Sequence, residues 1–103
     1  MTFKPKKNSV IAVDMDKTLC ECEAFSDQDC FDAIPIQKTI DKVNELNCQG
    51  HFIIIWTARR DDLRWATEYW LKKYGVKYNI LDTGHKIWAE YYVDDRNILL
   101  QDL

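Results

Sequence analysis

The sequence predicts an α/β fold with a small parallel sheet of about four strands, helices on its faces and no cap domain. Short apolar runs that suit strands buried on both faces occur at residues 9–14 and 51–56. Segments with helical apolar spacing alternate with them, which is typical of parallel sheets. The chain has 103 residues and no repeat or linker, so we expect residues 1–103 to form a single domain.

Apolar spacing and boundary residues predict the other elements. Helices are expected at 35–47 and 62–74 with a brief helical piece at 86–90, strands at 51–56, 78–81 and 91–95, and a tail at 97–103 that packs back on the sheet. Asp61 and Asp62 are expected to cap the second helix, and Gly50 and Gly75 to end the two long helices. Such a small sheet leaves an edge that the tail or a second subunit could cover, so a homodimer is possible.

The segment between the first strand and the first helix has no clean periodicity. Residues 19–34 read LCECEAFSDQDCFDAI and are rich in Asp. We interpret them as a loop or flap over the carboxyl end of the first strand, because the segment is too short for a cap domain.

Composition excludes several classes of function. The net charge is −3, with 14 basic and 17 acidic residues well mixed, so the chain carries no basic stripe for nucleic acid or an anionic membrane. No apolar run is long enough to span a bilayer, and the basic start lacks the apolar stretch of a secretory signal. We therefore expect a cytoplasmic protein with no membrane or nucleic-acid partner.

Four cysteines raise the question of a zinc site or a disulfide. They are Cys20, Cys22, Cys30 and Cys48. One residue separates the first two, whereas zinc-binding pairs usually have two to four between them, and no matching pair follows. Reduced thiols are the expectation for a cytosolic chain.

The polar residues with the strongest chemistry follow the ends of predicted strands. The three groups are Asp14 and Asp16 after the first strand, Thr57 after the second, and Asp94 and Asp95 at the end of the fourth. Lys86 stands shortly before the fourth strand. Ligands of open α/β sheets bind outside the carboxyl ends of the strands, so we expect these side chains to meet in one crevice.

Several carboxylates in one crevice require compensating cations. Two like charges about 4 Å apart repel by roughly 4 kcal/mol at an effective dielectric constant of 20. Lys86 supplies one positive charge, and a hard divalent cation with oxygen ligands can supply the rest. The sequence therefore predicts a Mg²⁺ site that handles an anion.

These segments resemble the four motifs of the haloacid dehalogenase superfamily, in the same order. The matching pieces are DMDKT at 14–18, TAR at 57–59, Lys86, and YVDD at 92–95. The resemblance covers Val10 to Leu103. Stretches such as PIQKTIDKVNELNCQGHFIIIWTAR and YYVDDRNI are similar to small capless members linked to capsular polysaccharide biosynthesis.

The resemblance implies phosphoryl transfer through an aspartyl-phosphate. Asp14 would be the nucleophile, and Asp16 would protonate the leaving oxygen and later activate water. Lys86 would neutralise the nucleophile and the transferring phosphoryl group. Thr57 and the amide of Ala58 would hold phosphate oxygens.

The resemblance also implies the metal ligands. The ion Mg²⁺ would be bound by Asp14, the backbone carbonyl of Asp16, and Asp94. Asp95 would either bind the ion directly or contact one of its ligands. The role of Arg59 stays open at this point, because it could contact the substrate or simply lie on the surface.

Two positions depart from the pattern of the family. Lys17 replaces the usual glycine after the second aspartate, and HKI at 85–87 replaces Gly-Lys-Pro around the motif lysine. We expect a Mg²⁺-dependent phosphatase that hydrolyses a small phosphate monoester, with a sugar phosphate or a nucleotide-linked sugar as the candidate substrate. The alternative is a catalytically inactive relative that binds a phosphorylated metabolite or a partner enzyme.

Overall fold

The computed structural model describes residues 3–21, 23–83 and 88–94. The four strands of its sheet are β1 (Val10–Asp14), β2 (Phe52–Thr57), β3 (Ile80–Thr83) and β4 (Tyr91–Val93). All pairs are parallel and the strand order is β3-β2-β1-β4. The predicted α/β fold with a four-stranded parallel sheet is therefore confirmed, and its strands differ from the predicted ranges by up to two residues at either end.

The helices lie in the connections between strands. They are α1 (Asp27–Asp32), α2 (Gln37–Cys48), a 3₁₀ turn (Asp61–Leu63) and α3 (Arg64–Lys73). The expectation that residues 19–34 form only a loop was incomplete, because this flap contains α1. Ser26 makes the short helix possible, since its hydroxyl accepts the N–H of Asp29 at 3.1 Å.

The start of the third helix differs from its prediction. Neither Asp61 nor Asp62 forms a side-chain cap, so the expected capping was wrong. Asp61 instead accepts a hydrogen bond from the hydroxyl of Thr83, and Asp62 pairs with Arg60 at 3.0 Å. Tertiary partners at the end of β3 and in the preceding loop thus compete for the carboxylates that local sequence assigns to the helix.

The ends of α2 and α3 follow the glycine rule. Gly50 and Gly75 have φ angles of +97° and +66°, in the left-handed region where glycine carries no Cβ penalty. A methyl group at Gly50 would also lie 3.1 Å from the side-chain oxygen of Asn8. These two glycines let the chain turn back into β2 and towards β3.

The core is built from the inner faces of the sheet and the helices that cover them. Central strand residues such as Ile11, Val13 and Ile55 are fully buried. Trp70 is fully buried, and its indole Nε1 donates to the carbonyl of Ala33 at 2.8 Å. This contact joins α3 to the end of the flap.

Parts of the sequence-based interpretation fall outside the described residues. These are the segment 84–87, which includes the first two residues of the predicted helical piece, and the chain after residue 94, which includes the predicted tail. Residues 88–90, which the structure does describe, are not helical. Within the described ranges, no helix is long and apolar enough to cross a bilayer.

Candidate active site

The candidate site lies at the carboxyl ends of β1 and β4, at the point in the sheet where the order of successive strands changes direction. The chain runs from β1 through β2 to β3, and then returns to the other side of β1 to form β4. Val13 pairs with Val93, and Asp14 and Asp94 come directly after this pair. Neighbouring strands lie about 4.8 Å apart, so the two carboxylates project from adjacent strand ends into the crevice that such a reversal creates.

An open cavity of about 620 Å³ occupies this position. Its lining combines acidic, basic and aromatic residues, namely Asp14, Asp16, Lys17, Glu23, Ala24, Phe25, Trp56, Ala58, Arg59, Arg60, Leu63 and Asp94. The structure therefore brings together three of the predicted aspartates, together with Ala58 and Arg59. The volume is sufficient for a small phosphorylated ligand.

The acidic residues fit a magnesium ion whose coordination a bound substrate would complete. Asp14 and Asp94 supply two carboxylates from neighbouring strands, and Mg²⁺ is commonly held by one or two carboxylates plus phosphate and water. Asp14 is oriented by the N–H of Met15, which donates to its Oδ1 at 2.8 Å. Within the described residues, no three His, Cys, Asp or Glu side chains form a metal-binding group on their own. The donor set thus suits a weakly held ion shared with phosphate rather than an all-protein cage.

Asp16 is held by a buried arginine. Arg59 Nη2 lies 2.5 Å from Asp16 Oδ1, and Nε lies 3.1 Å and 3.2 Å from the two carboxylate oxygens. The Arg59 side chain is only 1% exposed and that of Asp16 is 17% exposed. The possibility that Arg59 is an ordinary surface residue was wrong.

The remaining donors of Arg59 are also satisfied inside the protein. Nη1 donates to Thr67 Oγ1 at 3.0 Å and to Cys30 Sγ at 3.3 Å, and Nη2 donates to Cys20 Sγ at 3.6 Å. Burial lowers the pKa of Arg59, but the hydrogen bonds and negative charge of Asp16 outweigh it, so the pKa lies above its ordinary value. The guanidinium is a permanent cation here, directed at Asp16 rather than into the cavity.

Of the two predicted phosphate-binding residues Thr57 and Ala58, the structure places Ala58 at the cavity and Thr57 behind it in a buried position. Ala58 follows β2 and lines the cavity, but Thr57 is not among the described residues that line it. Thr57 is buried, and its hydroxyl oxygen accepts the N–H of Arg59 at 3.1 Å. The threonine therefore shapes the loop that carries Ala58 and Arg59, as a capping hydroxyl does.

Two predicted site residues lie outside the described residues. These are Lys86, the expected neutralising cation, and Asp95, the expected second acidic residue after β4. Their roles stay predictions.

The unusual lysine of the first motif has a structural explanation. The chain turns tightly after β1, with the N–H of Leu19 donating to the Met15 carbonyl at 2.9 Å. Lys17 lies in this turn with φ of +65°, the region that favours glycine. Its side chain extends towards Glu23, with Nζ to Oε1 at 3.5 Å. The lysine thus occupies a backbone conformation that the usual glycine would adopt without strain.

We expect Lys17→Val to lower the free energy of unfolding by about 1–3 kcal/mol, because a β-branched residue is strained at positive φ. Lys17→Gly should be neutral or stabilising by up to about 1 kcal/mol, since relief of strain competes with the entropy of glycine in the unfolded chain. Urea unfolding of the three proteins measures both effects. Equal free energies of unfolding for the native chain and Lys17→Val would contradict backbone strain at residue 17.

The described cysteines differ sharply in environment. Cys20 and Cys30 are buried, Cys48 is exposed, and none of the three is in a disulfide. Burial and the negative charge of Asp16 raise the pKa of Cys20 from 9.0 to about 12, and burial raises the pKa of Cys30. Both buried thiols therefore stay protonated at neutral pH.

Alkylation of the folded protein with iodoacetamide at pH 8 should label Cys48 well before Cys20 or Cys30, because the thiolate is the reactive form. Peptide mass spectrometry resolves the three sites. Unfolding in urea removes burial and should equalise the labelling rates of the three cysteines.

The raised pKa of Cys20 also implies that the contribution of this thiol to the free energy of unfolding is complete below pH 9 and is lost as pH rises towards 12. Labelling of Cys20 in the folded protein as fast as that of Cys48 would contradict the burial and the raised pKa of Cys20.

Sequence reasoning missed several features of this site. Phe25 lines the cavity with 68% of its surface exposed, and Trp56 is half-buried with no partner for its Nε1 among the described residues. The apolar run of β2 predicts a buried Trp56, and nothing in the aperiodic flap singles out Phe25. In the sequence, the proximity of Arg59 to Asp16 is indicated by its position two residues after β2, which places both residues at the same edge of the sheet.

Solved structures with the same architecture place this geometry in a fold class. A chain of the Pnkp1/Rnl/Hen1 complex superposes with a TM-score of 0.72 at 20% identity, covering 85% of this chain and 39% of that chain. An MCSG target from Vibrio cholerae gives 0.66 at 25% identity, covering 89% and 84%. A conserved protein from Bacteroides thetaiotaomicron gives 0.69 at 23% identity, covering 87% and 78%. The chain thus spans less than half of the first of these.

The shared architecture is a haloacid dehalogenase-like Rossmann fold, and this chain has that fold. No protein-family model matches the chain, and no curated protein matches its sequence. The comparisons support the fold that the motif resemblance implies, and they do not test the likeness to capsular polysaccharide phosphatases.

Proposed function

We propose that this chain is a Mg²⁺-dependent phosphatase that hydrolyses a phosphate monoester through an aspartyl-phosphate. The observation that carries the proposal is the convergence of Asp14, Asp16 and Asp94 on one open cavity at the reversal point of the sheet. These aspartates occupy the nucleophile, acid and metal positions of the family that the motifs resemble. The fold likeness supports phosphoryl transfer on this scaffold by fold-level analogy, and the site residues carry the proposal.

In the proposed reaction an Asp14 carboxylate oxygen bonds to phosphorus while the bond from phosphorus to the substrate oxygen breaks. Asp16 gives its proton to that departing oxygen, which leaves as an alcohol. Water then attacks phosphorus, Asp16 takes one of its protons, and the bond between phosphorus and Asp14 breaks to release phosphate. Mg²⁺, when bound by Asp14 and Asp94, would offset the negative charge of the phosphoryl oxygens.

The other residues around the cavity fit an anionic substrate. The backbone at Ala58 lies at the cavity and follows β2, where its amide can bind a phosphate oxygen. Lys86 is proposed to neutralise the same group. The open mouth of the cavity suits a substrate that extends beyond the phosphate, and we propose a sugar phosphate such as polysaccharide biosynthesis uses.

The experiment that tests the proposal is release of inorganic phosphate from 4-nitrophenyl phosphate by the purified chain, with Mg²⁺ and with excess chelator. We expect turnover with Mg²⁺ that the chelator abolishes and that added Mg²⁺ restores. A panel of sugar phosphates then follows, with a phosphorylated oligonucleotide as a further arm because two structural neighbours come from an RNA repair complex. Absence of turnover despite Mg²⁺ binding by calorimetry would favour the inactive binding module instead.

A further inference from the structure

We infer that Arg59 is the positioning residue of the proposed acid Asp16, and that it fixes the orientation of the Asp16 carboxylate. The inference deepens the proposed function and rests on it. Its basis is the buried ion pair, in which every nitrogen of the Arg59 guanidinium has a protein partner. Arg59 does not contact substrate in this role.

The two oxygens of Asp16 are in different environments. Oδ1 accepts from Arg59 Nη2 at 2.5 Å, from Nε at 3.1 Å, and from the Cys20 thiol at 3.5 Å. Among the described residues, Oδ2 accepts only the longer contact from Nε, at 3.2 Å. Three donors therefore hold Oδ1 in place, and Oδ2 is restrained less. The guanidinium thus anchors one oxygen and leaves the other for chemistry.

The position of the guanidinium is itself determined by two packed helices. Thr67 of α3 accepts from Arg59 Nη1 at 3.0 Å while donating its own proton to the Leu63 carbonyl at 2.9 Å. Cys30 of α1 accepts from the same nitrogen at 3.3 Å. These contacts restrict the planar fork to one orientation, which a lysine ammonium could not reproduce. Arg59 therefore transmits the positions of α1 and α3 to the acid.

A positioning role predicts an effect that depends on the leaving group. The departing 4-nitrophenolate is stable without a proton, whereas the alkoxide from β-glycerol phosphate must be protonated as its bond to phosphorus breaks. Arg59→Lys should lower kcat for β-glycerol phosphate on the order of 100-fold, the lower range for a well-placed general acid. The loss with 4-nitrophenyl phosphate should be under about 10-fold, and KM should change little for either substrate.

Two further variants separate positioning from folding. Thr67→Val keeps the shape of the side chain but removes the acceptor of Nη1, and we expect the same preference for the good leaving group with a smaller loss. In an Asp16→Asn background, Arg59→Lys should add no further loss with β-glycerol phosphate, because the group it positions is absent. Thermal unfolding of every variant shows which of them are folded at the assay temperature.

Arg64→Lys is the matched control. Arg64 pairs with Glu68 at 2.8 Å on the outside of α3 and does not line the cavity, so kcat with both substrates should be unchanged. Equal losses on both substrates in folded Arg59→Lys and Thr67→Val proteins, or additive losses in the Asp16→Asn background, would overturn the inference while leaving the proposed phosphatase intact. A native chain that hydrolyses neither substrate overturns the proposed function instead.

Discussion

Replacing Asp14 by Asn is expected to reduce Mg²⁺-dependent phosphate release on the order of 10³-fold or more, which is the usual cost of losing a covalent nucleophile. The amide has nearly the shape of the carboxylate but cannot form the phosphoenzyme bond. Phosphate release measures the loss. Rapid acid quench of the native chain should also give a phosphoryl adduct on the peptide that contains Asp14, and the variant should give none.

Asp41→Asn is the control for this prediction. Asp41 lies exposed on α2 and accepts a hydrogen bond from Gln37 at 2.8 Å, away from the cavity, so its replacement should leave turnover unchanged. If Asp14→Asn keeps more than about a tenth of native turnover, a loss of under 1.4 kcal/mol in transition-state stabilisation, Asp14 is not the nucleophile. An adduct on another residue would place the covalent step elsewhere.

Trp70→Ala is expected to lower the free energy of unfolding by about 3–5 kcal/mol, the range for removing a large aromatic side chain from a packed core. The Trp70 side chain is 0% exposed and packs at 4.7 Å between ring centroids against Tyr74. The substitution also leaves the Ala33 carbonyl without the indole donor at 2.8 Å. Urea unfolding followed by circular dichroism measures the loss.

Trp88 provides a matched tryptophan on the surface. It is 73% exposed, so Trp88→Ala removes little buried area and should change the free energy of unfolding by no more than about 0.5 kcal/mol. A comparable loss in the two variants would mean that the α3 contact contributes no more than a surface residue. Such a small domain has little stability to spare, and Trp70→Ala is therefore expected to be partly unfolded at 37 °C.

The sheet and the meeting of its aspartates could be predicted from sequence because both depend on short-range patterns. Apolar runs of strand length and intervening helical spacing determine a parallel sheet, and parallel strands bring their carboxyl ends to one edge. Asp14 and Asp94 therefore meet in the cavity without any knowledge of individual contacts. The glycines at 50 and 75 follow the same local logic.

The environment of Arg59 could not be predicted, because nothing in TARR shows which of its two arginines turns inward. That direction depends on Thr67 and Cys30, eight residues later and twenty-nine residues earlier in the chain. The absent caps at Asp61 and Asp62 have the same cause, since tertiary partners outweigh local preference. The missed helix α1 differs, because its signal is local and lies in the Ser26 cap. Positions were thus predictable where the backbone pattern decides them, and side-chain directions were not.

The contact between Arg59 and Cys30 joins the flap helix to the proposed acid, and this has a consequence for how the specificity of such a domain can evolve. A substitution that moves α1 to accommodate a different leaving group also moves the carboxyl that is proposed to protonate it. On the proposed function, substrate range and turnover rate are therefore coupled through the Arg59 side chain. Phe25 lines the cavity from the same flap with an exposed side chain, so on the proposed function its substitution is the route by which the chain can change substrate range.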